Sequence, residues 1–324
     1  MKLPIWLDCD PGHDDMMAIM LASTSPALNL VGISTTHGNQ SVDKTFVNAV
    51  RTTFLTGNRV PVYRGFAEPL TRQSKACPEI HGESGLGGFD WTDVDKQIMV
   101  EPKDICAFYT ALKAAIDTHA TQNSLFTIVS TASFTNIAQF IKAYPEYASK
   151  IKLVSMAGNF KTIGNILPWS EFNVLIDPEA CQYLLDMKVH ITFIPLDVTH
   201  TVLFTPDVES RIKSISNAKF STLIINLLNF FKDTYKSVFK FDFPPLHDPV
   251  AVYYLLNPNA FVTENVHVSI ETKGEFTFGA CCADWFKQFG GAENCTVCLK
   301  VDVEAFWNEM IKSLEVCAVN GGWK

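Results

Sequence analysis

The sequence predicts an α/β fold in which a mainly parallel central sheet is flanked by helices. Strand-like and helix-like segments alternate almost throughout the 324 residues, an order typical of parallel sheets. At the start of the chain, an apolar run at 3–7 is broken by Pro11-Gly12, and a helical pattern follows. In doubly wound sheets of this kind, ligands bind beyond the carboxyl ends of the strands. We therefore expect the functional site shortly after residue 7.

The remaining elements follow in order from periodicity and turn signals. Apolar and β-branched runs predict strands at 28–36, 60–63, 125–130, 152–157 and 190–198, and alternating segments predict edge strands at 266–270 and 296–301. Helices are predicted at 42–55, at 104–118, from 136, from 177, over most of 207–239 and from 303. Residues 64–102 show little periodicity, which predicts a long loop able to fold over a ligand. No linker or repeat divides the chain, so we expect one domain over residues 1–324.

The composition excludes several partner classes. There are 26 Lys and Arg against 34 Asp and Glu, a formal net charge of −8, which disfavours nucleic acid or an anionic membrane surface. No basic, apolar signal segment opens the chain. Nine scattered cysteines without such a signal favour reduced thiols and a cytoplasmic location. Cys295 and Cys298 form one CxxC without a second ligand pair, so we interpret them as part of a strand rather than a zinc site.

Four aspartates crowd the turn after the first strand: Asp8, Asp10, Asp14 and Asp15. One or two of them could cap the helix that follows, because carboxylates suit a helix N-terminus. Four carboxylates so close together repel one another unless a cation lies among them or some are protonated. Oxygen ligands in that number indicate calcium or magnesium. The alternative is a well-capped turn with solvated acids.

Polar residues also follow the other predicted strands. Asn39 follows the second strand and Thr131 the fourth, a polar loop at 165–173 follows the fifth, and His247 and Asp248 open a later helix. Amides, carboxylates and a hydroxyl suit a polyhydroxylated ligand, since sugar hydroxyls both donate and accept hydrogen bonds. Each residue also has a local structural interpretation, as a turn residue, a cap or loop packing. A Walker phosphate loop, a GxGxxG motif and a GxSxG elbow are all absent from the sequence.

At this point the residues resemble a known family. The sequence DCDPGHDD at 8–15 is similar to the DxDPGxDD signature of nucleoside N-ribohydrolases, the inosine–uridine-preferring group. Further segments occur in the family's order over residues 3–255: Gly38-Asn39-Gln40, Ile80-His81-Gly82-Glu83-Ser84-Gly85, Thr135-Asn136-Ile137-Ala138, Glu171-Phe172-Asn173, Asp177-Pro178-Glu179 and His247-Asp248-Pro249. The last seventy or so residues carry little of the resemblance.

The resemblance implies a Rossmann-like nucleoside hydrolase fold and a calcium-dependent enzyme that cleaves ribonucleosides to free base and ribose. It implies that Asp10, Asp15, Asp248 and the backbone carbonyl of Thr131 hold Ca²⁺, and that Asp10 takes the proton of the calcium-bound water. Asp14, Asn165, Glu171 and Asn173 would bind ribose hydroxyls, with Asn39 supporting the site and Asp8 behind it. The base side would contain His81, His247, Tyr235 and Phe172, with His247 or His81 as the leaving-group acid. A homodimer or homotetramer is also expected.

Three departures from the family pattern bear on specificity and backbone path. Ala132-Ser133 follows Thr131 where the family usually has Gly followed by Pro or Gly. Leu227-Leu228 stands in the region where some family members have an arginine near the leaving group. His247 stands where the purine-specific branch has tryptophan, which implies broad or pyrimidine-tolerant specificity. Two other functions compete with hydrolysis of nucleosides: an aspartate-dependent phosphatase that uses Asp8 and Asp10, and a non-catalytic nucleoside or sugar binder.

Overall fold

The protein is described by a computed structural model over residues 2–101 and 104–321. Its strands are β1 (Leu3–Cys9), β2 (Leu28–Thr35), β3 (Val62–Arg64), β4 (Phe126–Ser130), β5 (Ile151–Met156), β6 (His190–Ile194), β7 (Phe261–Val266), β8 (Val268–Ile270), β9 (Cys281–Ala283) and β10 (Cys295–Val301). Eight of them form one sheet in the order β3-β2-β1-β4-β5-β6-β10-β7. Within it only β7 runs antiparallel, to β10. The predicted, mainly parallel α/β fold is confirmed.

Helices cover both faces of this sheet. They are α1 (His13–Thr24), α2 (Val42–Thr56), α3 (Pro78–His81), α4 (Thr92–Asp95), α5 (Ile105–His119), α6 (Thr135–Ala143), α7 (Phe172–Ile176), α8 (Pro178–Asp186), α9 (Leu196–Thr199), α10 (Pro206–Lys213), α11 (Ala218–Phe239), α12 (Pro249–Leu256) and α13 (Val303–Asn320). Two 3₁₀ turns lie at Pro145–Lys150 and Pro258–Ala260. No helix among the residues the model covers has the length and apolarity needed to cross a membrane.

Two hydrophobic cores result from the alternation of side chains along the strands. In β1, Ile5 and Leu7 belong to one core, shared with α1, α2, α11, α12 and α13. Trp6 points the other way into a second core, shared with α5, α6 and α8. A central strand buried on both faces explains why β1 is apolar without a clear alternation in its sequence.

The register of the sheet aligns the strand ends that carry the polar residues. Asp8 in β1 lies opposite Ser34 in β2 and opposite Ser130 in β4. The carboxyl ends of these three central strands therefore meet at one edge. This arrangement brings the aspartates after β1, Asn39 after β2 and Thr131 after β4 to the same edge.

The structure corrects several sequence expectations. The segment at 296–301 was expected at an edge, but β10 lies inside the sheet between β6 and β7, and Cys295, Val297 and Cys298 are buried. The segment at 266–270 is divided, because Val266 ends β7 while Val268–Ile270 pairs with β9 in a separate two-stranded sheet. Alternation shows which side chains are buried but not how many neighbours a strand has.

The boundaries of other elements also differ. The long segment at 64–102 contains the short helices α3 and α4, although its last residue, Pro102, lies outside the described residues. The strand predicted at 190–198 ends at Ile194, since Pro195 breaks it and α9 begins one residue later. The helical stretch at 207–239 is two helices, and the Asn217 side chain accepts a hydrogen bond from Phe220 N–H at the start of the second.

Candidate active site

The turn after β1 is held by hydrogen bonds to Asp15 in the first turn of α1. Its Oδ2 accepts from the N–H of Gly12 at 3.1 Å, and its Oδ1 accepts from the N–H of Asp10 at 3.3 Å. The same Asp15 carboxylate therefore both caps the helix and closes the turn. The bulk of a larger residue would not fit here, because a Cβ on Gly12 would lie 2.4 Å from Nδ1 of His81.

Asp10 presents one bonded and one unbonded oxygen. Its Oδ2 accepts from the backbone N–H of Asn39 at 2.7 Å, while its buried Oδ1 has no hydrogen-bond partner among the described residues. Burial is the largest effect that raises the pKa of Asp10 well above its ordinary value, and the negative charge of Asp15 is the next largest. A buried, unpartnered carboxylate oxygen is costly unless a ligand completes its environment.

Three further carboxylates lie near Asp10. One oxygen from each of Asp14, Asp15 and Asp248 lies within 4.8 Å of the others. Burial and mutual repulsion raise the pKa of Asp14 to about 7 and the pKa of Asp248 well above the ordinary value. The ion pairs found in the described parts of the chain include none of these acids. A buried acidic cluster without a basic side chain fits a hard divalent cation.

Two predicted ligands also take part in protein hydrogen bonds. The Thr131 hydroxyl donates to Oδ1 of Asp15 at 2.7 Å, and the Thr131 carbonyl accepts from Nδ2 of Asn173 at 3.2 Å. Nδ2 of Asn39 donates to Oδ2 of Asp15 at 3.0 Å. The geometric cluster contains Asp14 in addition to the expected Asp15 and Asp248, whereas Asp10 lies next to it and outside the 4.8 Å group.

Asp8 supports this edge from behind. Its Oδ1 accepts from Oγ of Ser34 at 2.5 Å and from Nδ2 of Asn136 at 2.7 Å. Burial raises the pKa of Asp8 to about 7 even though these two donors lower it. The residue does not line the cavity described below, which agrees with a supporting position.

A second polar group lies at the start of α7. Oε1 of Glu171 accepts from the N–H of Asn173 at 2.9 Å, and Oε2 accepts from the N–H of Gly158 at 2.8 Å. Burial raises the pKa of Glu171 to about 7. Oδ1 of Asn165 accepts from the N–H of Phe172 at 3.0 Å, which ties the preceding loop to the same helix. Asn165, Glu171 and Asn173 are thus brought together as expected.

Aromatic side chains and two buried histidines form a further part of the site. Oη of Tyr235 lies 2.8 Å from Nε2 of His247, and Nδ1 of His247 lies 2.7 Å from Oγ1 of Thr199. Burial lowers the pKa of both His247 and His81 well below the ordinary value. The sequence interpretation did not select Thr199 and missed this contact. Its position after the carboxyl end of β6 was the available signal.

A cavity of about 240 Å³ joins these groups. Eleven of the predicted site residues line it: Asp14, Asn39, His81, Thr131, Asn165, Glu171, Phe172, Asn173, Tyr235, His247 and Asp248. Asp10 and Asp15 lie behind them. The sequence interpretation did not select several apolar lining residues: Ile80, Met156, Ile166, Phe231, Val238 and Phe239. These residues occur in helices, in a loop and, for Met156, at the end of β5, where apolar positions look like ordinary core.

The sequence and the fold are similar to those of known nucleoside hydrolases. The model of the family described as "Inosine-uridine preferring nucleoside hydrolase" matches residues 5–308. A probable ribonucleoside hydrolase from Dictyostelium discoideum is 37% identical over 97% of this chain and 95% of that protein. The pyrimidine-specific ribonucleoside hydrolase RihA of Escherichia fergusonii is 36% identical over 98% of this chain and 100% of that protein.

Solved structures agree with this assignment. A purine-preferring ribonucleoside hydrolase from Gardnerella vaginalis superposes with a TM-score of 0.86 at 28% identity, covering 97% of this chain and 99% of that one. An inosine-uridine preferring nucleoside hydrolase from Bacillus anthracis, at 15% identity and a TM-score of 0.77 over 98% of this chain and 100% of that one, shares the fold. The chain belongs to the inosine-uridine preferring nucleoside hydrolase family, whose members are N-glycosyl hydrolases.

Proposed function

We propose that this protein is a Ca²⁺-dependent ribonucleoside hydrolase that releases the base and ribose and accepts pyrimidine ribonucleosides among its substrates. One observation carries the proposal: a single cavity is lined both by buried carboxylates and by the hydrogen-bonded Tyr235–His247 pair. This arrangement supports a reaction in which positive charge develops on a sugar and a base departs on the far side. The pyrimidine-specific relatives at 36–37% identity support the substrate class.

The donor set fits calcium. Asp15, Asp248, the Thr131 carbonyl, Asp10 and Asp14 would supply only oxygen ligands, which hard cations prefer. The unpartnered Oδ1 of Asp10 and the raised carboxylate pKa values support a cation at this place. When bound, such an ion lowers the pKa of water and can hold a sugar diol.

Asp10 is the proposed general base. Its Oδ2 is fixed by the Asn39 N–H, which leaves Oδ1 to accept a proton from the attacking water. As the water oxygen bonds to C1′, the C1′–N bond breaks and its electron pair remains on the base nitrogen. The water proton passes to Asp10. Carboxylates of Asp14 and Glu171 near the sugar favour the positive charge that develops on the ring.

The ribose would be bound by residues that already hold one another in place. Asp14, Asn165, Glu171 and Asn173 line the cavity and offer both donors and acceptors to hydroxyl groups. Phe172 lies beside them. Fixing the sugar in this way lowers the entropic cost of reaching the transition state.

The leaving-group proton is assigned to His247 acting through Tyr235. The Tyr235 hydroxyl donates its proton to the departing base and receives one from Nε2 of protonated His247, so the pair transfers one proton and His247 ends neutral. Burial lowers the pKa of His247, so its protonated form is a minor species near neutral pH but a strong acid where it forms, and the rate should fall as the pH rises. Exchange with solvent returns the proton held by Asp10. His81, the second expected candidate for this role, also lines the cavity.

Base release from a panel of ribonucleosides tests the proposed function. Calcium-loaded protein is incubated with uridine, cytidine, inosine and adenosine, and free base and ribose are measured by chromatography. We expect stoichiometric base and ribose, with turnover of at least one pyrimidine nucleoside. Phosphate release from ribose 5-phosphate without base release would instead support a phosphatase. Saturable binding of uridine without turnover would support a binding protein.

Location and assembly are part of the same proposal. We infer a cytoplasmic protein, because all nine cysteines are free thiols and reduced thiols are typical of that compartment. We also expect a homodimer or homotetramer, as the family resemblance implies. Light scattering of the purified protein and cell fractionation measure the two properties.

A further inference from the structure

His13 belongs to the aspartate-rich turn but has no role in the reaction described above. It occupies the first position of α1, and its ring is fully buried. The ring packs against Phe230 and Phe231, with centroid distances of 5.5 and 5.3 Å. None of its hydrogen bonds in the described structure reaches a carboxylate. A ring in such apolar surroundings is neutral, and therefore carries one proton on one of its two nitrogens.

Two contacts decide which nitrogen carries the proton. Nε2 of His13 lies 2.9 Å from the carbonyl oxygen of Gly87. A carbonyl can only accept, so Nε2 is the protonated nitrogen and Nδ1 of His13 is an acceptor. Nδ1 of His13 in turn lies 3.2 Å from Nδ1 of His81. A hydrogen bond at this distance requires the proton on Nδ1 of His81, which leaves Nε2 of His81 with its lone pair free.

One contact favours the opposite tautomer of His81. The backbone N–H of His13 lies 3.4 Å from Nδ1 of His81, beyond the usual N–H donor range of about 2.7–3.2 Å. If Nδ1 of His81 accepted this bond, two lone pairs would face each other at 3.2 Å. The shorter ring-to-ring contact therefore determines the tautomer.

The surrounding backbone keeps the two rings in contact. The N–H of Gly87 donates to the carbonyl of His81 at 3.0 Å, which closes the turn from His81 to Gly87. The carbonyl of Gly87 in this turn is the acceptor for His13. A Cβ on Gly87 would lie 2.5 Å from the Phe230 ring, and a Cβ on Gly12 would lie 2.4 Å from His81. Glycine at both positions permits this close approach, so the backbone conformation keeps the His13 and His81 rings in contact.

We propose that His13 is a positioning residue that holds His81 in the Nδ1-protonated tautomer and so makes Nε2 of His81 a hydrogen-bond acceptor in the base pocket. His81 lines the cavity, and no hydrogen bond within the described residues engages its Nε2. An acceptor there recognises an N–H group on the base, such as N3–H of uracil. Neutral His81 in this tautomer has no proton to give at Nε2, so it selects the base while His247 and Tyr235 supply the proton. This inference rests on the proposed function.

Two variants separate the hydrogen bonds of His13 from its packing. His13→Gln keeps an amide oxygen that can accept from His81 and an amide N–H₂ that can donate to Gly87. His13→Phe keeps an aromatic ring against Phe230 and Phe231 but removes both hydrogen bonds. Long-range ¹H–¹⁵N spectra of the calcium-loaded enzyme report the tautomer of each ring, with His81→Gln used to assign the His81 signals.

We expect His81 in the Nδ1-protonated form in the wild type and in His13→Gln, and a shift toward the Nε2-protonated form in His13→Phe. The tautomer is read without substrate, so this result does not depend on catalysis. Nε2-protonated His81 in the wild type, or an unchanged tautomer in folded His13→Phe, would overturn the proposal. If His13→Phe does not fold, Nε2-protonated His81 in the wild type or in His13→Gln still overturns the proposal.

A kinetic comparison tests the consequence for recognition. Uridine and 3-methyluridine differ in the N–H that Nε2 of His81 would accept. The wild type should prefer uridine in kcat/KM by about 10- to 100-fold, as expected when a buried acceptor is left unpaired. The preference should persist in His13→Gln and fall by about tenfold or more in His13→Phe, while the steric effect of the methyl group is common to all three. An equal preference in all three would contradict the role in recognition. Absence of uridine cleavage by the wild type would count against the proposed function and leave the NMR result standing.

Discussion

Replacing Tyr235 by phenylalanine removes one oxygen atom from the site and tests the route of the leaving-group proton. The lost hydroxyl lies 2.8 Å from Nε2 of His247, which is itself only 4% exposed. Leaving this nitrogen without a partner should cost about 1–3 kcal/mol of folding stability. Losing the donor to the base should lower kcat with uridine by about 10²- to 10⁴-fold, the range of general acid catalysis.

The assay compares two leaving groups. p-Nitrophenyl riboside releases a phenolate that needs little protonation, so Tyr235→Phe should hydrolyse it at nearly the wild-type rate. Tyr147→Phe is a control away from the site, since the Tyr147 ring packs in the hydrophobic core that contains α5 and α6 and its hydroxyl donates to the exposed Asp117 at 2.7 Å. The control should keep the wild-type activity on both substrates. Equal losses on uridine and on p-nitrophenyl riboside would refute the proton route and make Tyr235 a residue that only shapes the pocket.

Three other expectations follow, two from the site and one from the buried His37, which does not line the cavity. Removing calcium with a chelator should abolish base release, and re-addition should restore it. Calcium at about 100 times its Kd should add about 2.7 kcal/mol to the unfolding free energy. Full turnover in protein shown to be metal-free would exclude a requirement for calcium. Asp10→Asn should lower kcat by about 10²- to 10⁴-fold with a smaller change in KM, and an unchanged kcat would move the base to Asp14 or Asp15. Burial lowers the pKa of His37 to about 4, so below the unfolded pKa near 6.5 the unfolded state binds the proton and stability falls with acidification. The free energy of unfolding, measured with urea, should fall between pH 7 and pH 5 by about 2 kcal/mol less in His37→Gln than in the wild type. An equal fall in both proteins would mean that His37 is protonated in the folded protein.

The sequence predicted the edge of the sheet at which the site lies because its signals there are local. Asp10, Asp14 and Asp15 follow a strand that ends at a proline and a glycine, and the chain can turn there in few ways. Asn39 and Thr131 were selected by the same rule at two other strand ends. All of them lie at the edge formed by the carboxyl ends of β1, β2 and β4.

The contacts that depend on distant parts of the chain could not be predicted. Thr199 contacts His247 across 48 residues, and His13 contacts His81 across 68. Each of these side chains has an adequate local explanation as a cap or a core residue. Only the folded structure shows that Thr199 contacts His247 and that His13 contacts His81, two residues that line the cavity. The same limit applies to β10, whose neighbours are set by topology rather than by its own pattern.

The position of β10 has a consequence for biosynthesis. Among the strands of the described residues, β7 pairs only with β10, and β10 is the strand that joins it to β6. A ribosome therefore completes β6 and β7 long before the strand that must lie between them emerges at Cys295. Until then the backbone groups along one side of β6 have no strand partner, and an unpaired strand edge promotes association between chains. Nascent chains released before Cys295 should aggregate, whereas chains released after α13 has formed should not. Releasing chains of both lengths from arrested ribosome complexes would reveal the difference.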